Sequence, residues 1–138
     1  MREYLFRGKK IWHDDNGWVE GFLTYFSPDD AYINSENGTI EYTCPVDLNT
    51  VGQYIGRKDR NGKNIFEGDI VKVYPTYMGL PEKVGVVCYN EDSSSYQVNY
   101  EYWTDWVCSL LSFQLEIVGN TYDNPEMWER KENKSGKD

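Results

Sequence analysis

Three carboxylates stand close together in this chain, at Asp59, Glu67 and Asp69. Paired carboxylates can hold a divalent cation or run acid–base chemistry, and Glu67 and Asp69, two apart, would share one face of a strand. The same residues also suit turns. Asp59 sits in Asp59-Arg60-Asn61-Gly62, where a short carboxylate bonds nearby backbone N–H groups, and Gly68-Asp69 suits the first residues of a strand. The turn reading is preferred, because little else in the chain could complete a reaction centre. His13 is the only histidine, which excludes a multi-histidine metal site within one chain; with Asp14 and Asp15 it reads as an exposed turn before Gly17. Cys44, Cys88 and Cys108 are widely spaced, with no CxxC, so they offer no zinc spacing and read as buried, reduced small hydrophobes. Phosphate-loop and dinucleotide fingerprints are absent. The expectation is no catalytic residue, no metal and no cofactor, and hence not an enzyme.

Binding chemistry is the alternative. The loop Arg57-Lys58-Asp59-Arg60-Asn61-Gly62-Lys63 has a net charge of +3, and residues 1–13, with Arg2, Arg7, Lys9 and Lys10 against Glu3, have another +3. Such charges can contact phosphates. The whole chain carries −9, which repels a polyanion at long range. A second binding candidate is Trp103, which breaks the polar face of an otherwise alternating segment; tryptophan in that setting either lies under a loop or marks an interface.

The elements that must position these groups read as strands. The chain has 138 residues, the size of one ordinary domain, with 16% aromatics, twelve of them Tyr, twelve Gly and a single Ala at Ala31. That balance favours pleated sheet over helix. Residues 3–7 and 10–12 read as short extended pieces around Gly8, and 17–26 as a strand. Residues 31–34 and 39–42 flank a hairpin turn at Ser35-Glu36-Asn37-Gly38. A less regular stretch from Val46 leads to the basic loop. Residues 70–74, 83–89 and 115–118 read as strands. Across 95–106, Tyr96, Val98, Tyr100, Tyr102 and Trp106 fall on one face, which predicts a single half-buried strand with those aromatics in the core. Asn124 with Pro125 predicts the start of a short helix. The tail 129–138 is charged. No stretch approaches the roughly 20 apolar residues that span a bilayer.

The segment 65–89, a Gly-Asp turn feeding one strand, a loop and a second strand with Gly85, has the look of a small SH3-like barrel. Reading outward, Gly56-Arg-Lys-Asp-Arg-Asn-Gly-Lys-Asn-Ile-Phe-Glu-Gly-Asp-Ile-Val71 resembles the signature of the YopX-like phage and prophage proteins. Arg2-Glu-Tyr-Leu-Phe-Arg-Gly-Lys is similar to that family's opening, and Ile117-Val-Gly-Asn-Thr-Tyr-Asp-Asn-Pro-Glu126 to its close. The resemblance implies a phage-derived, largely β protein of a bacterial cytoplasm with no established biochemical activity. Its signature positions are Gly56, Gly62, Ile65, Phe66, Glu67, Gly68, Asp69, Gly119, Asn120, Asn124 and Pro125, read as structural.

The expected architecture is a single mostly-β domain over 1–128. It comprises an N-terminal meander (1–48) and an SH3-like barrel core with a short C-terminal helix (49–128), followed by the tail. The expected function is a non-enzymatic module that binds an unknown phage or host protein or assembles with itself, with Arg57, Lys58, Asp59, Arg60, Lys63 and Trp103 as binding residues. The runner-up is a nucleic-acid-binding barrel that uses Arg2, Arg7, Lys9, Arg57, Lys58, Arg60 and Lys63.

Overall fold

The computed structural model describes residues 3–12, 17–35 and 43–128. His13, the turn at 36–38, the extended piece at 39–42, Arg2 and the charged tail lie outside the described residues. The fold is mostly β, with two antiparallel sheets and one short helix. The chain divides into two compact units, Met1–Tyr54 and Ile55–Asp138. Among the described residues no helix is long and apolar enough to cross a membrane.

In the N-terminal unit, β1 (Phe6–Lys10), β2 (Trp18–Ser27), β3 (Asp30–Asn34) and the first part of β4 (Thr43–Lys58) pair antiparallel in sequence order. β4 also returns to β1, with Phe6 opposite Gln53 and Lys10 opposite Val46, so the hydrogen bonding runs round a ring. Ile33, Ala31, Val46 and Val19 fill its interior. Gly8 does not separate two extended pieces: β1 runs through it. A Cβ there would meet Val46 Cβ at 2.8 Å and Ile33 Cδ1 at 3.2 Å, so the missing side chain is what lets the ring's core close. β4 is likewise longer and more regular than its mix of Pro45, Asn49 and Gly52 suggests, because it has β1 on one side and β3 on the other to hold it extended.

In the C-terminal unit, β5 (Asn64–Phe66) pairs with the end of β4 across the turn at residues 59–63. Then β6 (Asp69–Val73), β7 (Lys83–Asn90), β8 (Ser95–Asn99) and β9 (Thr104–Trp106) form a meander. Two 3-10 turns, Val107–Ser109 and Ser112–Gln114, lead to β10 (Leu115–Asn120), which returns to pair with β6. The sheet has the order β10-β6-β7-β8-β9. Ile65, Val71, Val87, Val98 and Leu115, each at most 1% exposed, form its core with Val73, Tyr100, Val107 and Leu110. A helix begins at Pro125, as Asn124-Pro125 predicts.

The segment 95–106 departs from the single predicted strand. The chain folds back at residues 100–103, where the Tyr100 N–H donates to the Trp103 carbonyl at 2.7 Å, and β9 pairs with β8, Trp106 opposite Gln97. Tyr100 is buried, but Tyr102 and Trp106 are exposed and are not core. The alternation was real on β8; the turn then reset its phase. The cysteines also differ from the expectation. Cys44 and Cys88 are half-buried and Cys108 is exposed, in a 3-10 turn that presents only Val107 to the core.

The approach of β7 to β8 leaves no space at Gly85, where a Cβ would stand 2.6 Å from the Asn99 carbonyl oxygen and 2.7 Å from Val98 Cγ1. Gly85→Ala should therefore destabilise the protein by about 1–3 kcal/mol or more, since packed backbone cannot yield as a flexible side chain does. Thermal denaturation followed by circular dichroism checks this; an unchanged midpoint would refute the close approach.

Candidate functional site

The signature carboxylates are engaged by backbone. Asp59, 3% exposed, opens the turn between β4 and β5. Its Oδ1 accepts the N–H groups of Asn61 at 2.9 Å and Lys63 at 3.0 Å, and its Oδ2 accepts that of Ile117 at 3.0 Å. The Arg60 N–H donates to the Leu115 carbonyl at 2.8 Å. One turn thus covers the outer edge of β10, a row of donors and acceptors that would otherwise lack partners. Gly62 takes φ +81°, a left-handed conformation that favours glycine. Asp69, 1% exposed, accepts the Phe66 N–H at 2.8 Å and closes the turn Phe66–Asp69, whose Gly68 is also left-handed, at φ +91°. Glu67 lies in that turn, so the period-two alignment of Glu67 with Asp69 does not arise. Among the described residues no three His, Cys, Asp or Glu side chains converge on a common point where a metal could bind.

The closing motif is built the same way. Asn120 Oδ1 accepts the N–H groups of Tyr122 and Asp123, and Asn124 Oδ1 accepts that of Asn120 at 3.1 Å. A Cβ on Gly119 would stand 2.6 Å from Asn124 Oδ1. Gly56, at the end of β4, is again left-handed at φ +85°, Ile65 and Phe66 are core, and Pro125 starts the helix.

The basic loop divides. Arg57 points along the sheet, donating from Nη1 to the Val107 carbonyl at 3.1 Å and from Nη2 to the Leu110 carbonyl at 2.7 Å. Its guanidinium therefore clamps the 3-10 segment. The Arg60 guanidinium lies 4.1 Å from the centre of the Tyr74 ring, and Lys58 Nζ donates to Asn64 Oδ1 at 2.7 Å. Lys63 is exposed. Arg7, in the N-terminal unit, is buried with its guanidinium 4.7 Å over the Trp18 ring.

Trp103 sits at the tip of the β8–β9 hairpin with a more defined setting than its sequence neighbours suggest. Its indole N–H donates to Asp105 Oδ1 at 3.1 Å, and the Tyr100 hydroxyl donates to Asp105 Oδ2 at 2.9 Å. Burial, and then the hydrogen bond to Asp105, push the Tyr100 hydroxyl far above the ordinary phenol range, so it stays a donor. Lys83 Nζ lies 5.3 Å from the Tyr100 ring centre and 5.7 Å from that of Trp103. The Trp103 ring is nevertheless 61% exposed, beside Tyr102 at 79% and Trp106 at 42%. Next to this cluster a cleft of about 230 Å³ is lined by Tyr74, Tyr77, Leu80, Pro81, Lys83, Asp105 and Leu110, among others. Small-molecule pockets run to roughly 300–1,000 Å³, so this one suits a side chain rather than a substrate. Lys83, Tyr100 and Asp105 are site residues that sequence reasoning missed. The break in alternation at Trp103 and Thr104 is the only signal that could have found the turn that brings them together.

Cys88, which accepts from Asn99 Nδ2 at 3.1 Å, is pushed up by burial and stays protonated at neutral pH.

The three N–H donors to Asp59 make its charge part of the fold. Burial opposes ionisation, but the hydrogen bonds from Ile117, Lys63 and Asn61 outweigh it and hold the carboxyl below its ordinary value of 3.8. The folded-state value is the lower one, so the stabilisation is complete above pH 3.8 and disappears as pH falls through the folded value. Asp59→Asn should destabilise by about 1–3 kcal/mol at neutral pH, because an amide NH₂ would face one of the donors. It should also flatten the acid limb of the stability curve. Urea titrations of both proteins between neutrality and acid test this, and parallel curves would show that Asp59 carries no such linkage.

A search of curated proteins found no match. Among solved structures, the fold is similar to the crystal structure of protein EF1440 from Enterococcus faecalis, with TM-score 0.52 and 19% sequence identity, covering 92% of this chain and 99% of that one. At that identity the likeness shows the fold alone. The profile of the YopX protein family matches residues 6–129. A match over most of the chain establishes that this protein belongs to the YopX family.

Proposed function

We propose that this is a non-enzymatic accessory protein of phage or prophage origin that works in the bacterial cytoplasm by docking a protein through the β8–β9 hairpin. The observation that carries this reading is the state of Trp103. Its ring is 61% exposed, yet its indole N–H is held by Asp105. An exposed aromatic already fixed in one orientation loses little conformational freedom on contact, which is what makes tryptophan an effective interface anchor. Tyr102 and Trp106 of the same hairpin are also exposed, and the adjoining cleft, about 230 Å³, is of side-chain size. The occupant is a protein of phage or host, or a second copy of this chain.

The runner-up, binding of nucleic acid by the basic loop, has Lys58 and Lys63 on an exposed turn in its favour. Against it, Arg57 is committed to two backbone carbonyls and Arg60 to a tyrosine ring. Phosphate contact would have to displace those interactions.

Trp103→Ser should leave the fold and its melting temperature unchanged within about 0.5 kcal/mol, as exposed positions do, while reducing complex formation severalfold. Capture from bacterial lysate with and without nuclease, sized by light scattering, is the test. Complexes of unchanged size and yield would refute the docking role of the hairpin. Complexes lost only after nuclease would favour the basic loop.

A further inference from the structure

We infer that the occupant of the hairpin is a cationic, extended protein segment, whose Lys or Arg side chains pack on Trp103 and its aromatic neighbours while its backbone adds to the outer edge of β9. The inference rests on the docking reading above and supplies the chemistry of the partner.

Charge is the first ground. Residues 84–128 contain no Lys or Arg, but seven carboxylates: Glu91, Asp92, Glu101, Asp105, Glu116, Asp123 and Glu126. That stretch therefore carries −7 of a chain total of −9. Of these carboxylates, Glu101 and Asp105 flank the exposed aromatics Tyr102, Trp103 and Trp106 directly, and Lys83 of β7 is the cation beside Trp103. A polyanion would be repelled here. A purely apolar segment would have to desolvate carboxylates without replacing their partners.

The second ground is that the molecule already performs this recognition once. Lys83, from the start of β7, places its ammonium near the rings of both Tyr100 and Trp103, whose hydroxyl and indole N–H are held by the one Asp105 carboxylate. Electron-rich ring faces fixed by a carboxylate are what cations favour. The Trp103 surface left exposed offers the same chemistry to an incoming side chain, as do the exposed rings of Tyr102 and Trp106 elsewhere on the hairpin.

Topology is the third. The second sheet ends in β10 and β9. The β10 edge is covered by the Asp59 turn through Ile117 and Leu115. Among the described residues β9 pairs with β8 and with no further strand, and an uncovered edge is a template for an added strand. Alternate side chains of such a strand would fall on one side of the sheet, matching cations spaced two apart.

The test uses the full chain and two synthetic ten-residue peptides, one alternating Arg and Thr, the other Glu and Thr. Binding is followed by tryptophan fluorescence and by amide shifts in ¹⁵N spectra. We expect the Arg–Thr peptide to shift the amides of residues 101–106 and to bind more weakly as salt is raised. Trp103→Ser should weaken it by about two- to fivefold, the scale of one exposed cation–π contact; Tyr102→Ser, at a more exposed position, serves if Trp103→Ser misfolds. The Glu–Thr peptide should not bind. Equal binding of both peptides, shifts confined to other acidic segments, or insensitivity to either substitution would overturn the inference. If the Arg–Thr peptide fails while Trp103→Ser still abolishes capture from lysate, the cationic chemistry falls and the docking reading stands. If both fail, both fall.

Discussion

The Asp59 carboxylate is the constraint on which the C-terminal unit depends. It joins the turn after β4 to β10, groups 58 positions apart in the chain, through two N–H donors on its own turn and one on Ile117. Without that link the last strand would have β6 on one side and an uncovered row of backbone groups on the other. The negative charge matters as much as the shape. Hydrogen bonds to an ionised acceptor are worth about twice neutral ones, and three of them converge on a group from which water is excluded.

The same economy recurs at each signature position. Asp69 holds the Phe66 N–H, Asn120 and Asn124 hold successive donors after β10, and left-handed glycines allow the chain to turn at Gly62 and Gly68. In this chain the signature residues thus stand where backbone must be satisfied without regular pairing. The exposed side chains Tyr102, Trp103 and Trp106 of the β8–β9 hairpin accept no backbone donor of this kind.

This division explains what could be read in advance. β6, β7 and β10 announce themselves by runs such as Ile70-Val71-Lys72-Val73, whose branched side chains suit a buried sheet, and Asn124-Pro125 marks a helix start by local chemistry alone. The hairpin turn at 100–103 contains neither Gly nor Pro, so nothing local separates it from a continuing strand; it is set by the pairing of β9 with β8. Lys83 reaches Trp103 only because β7 and the hairpin are brought together by the sheet. The exposure of Cys108 depends on a 3-10 turn that no periodicity marks. Local turn chemistry was legible, and placements made by non-neighbouring strands were not.

The ring of strands in the N-terminal unit bears on how the chain reaches its native state. β1 finds β2 through a short connection, but its other side must wait for β4, with Phe6 meeting Gln53. Closing so long an intervening segment loses chain entropy before any contact compensates it. Topologies dominated by such distant pairings fold over roughly milliseconds to seconds rather than microseconds. Until β4 arrives, one side of β1 is bare backbone, so a nascent or truncated chain that ends before Gln53 would present a sticky strand to its neighbours.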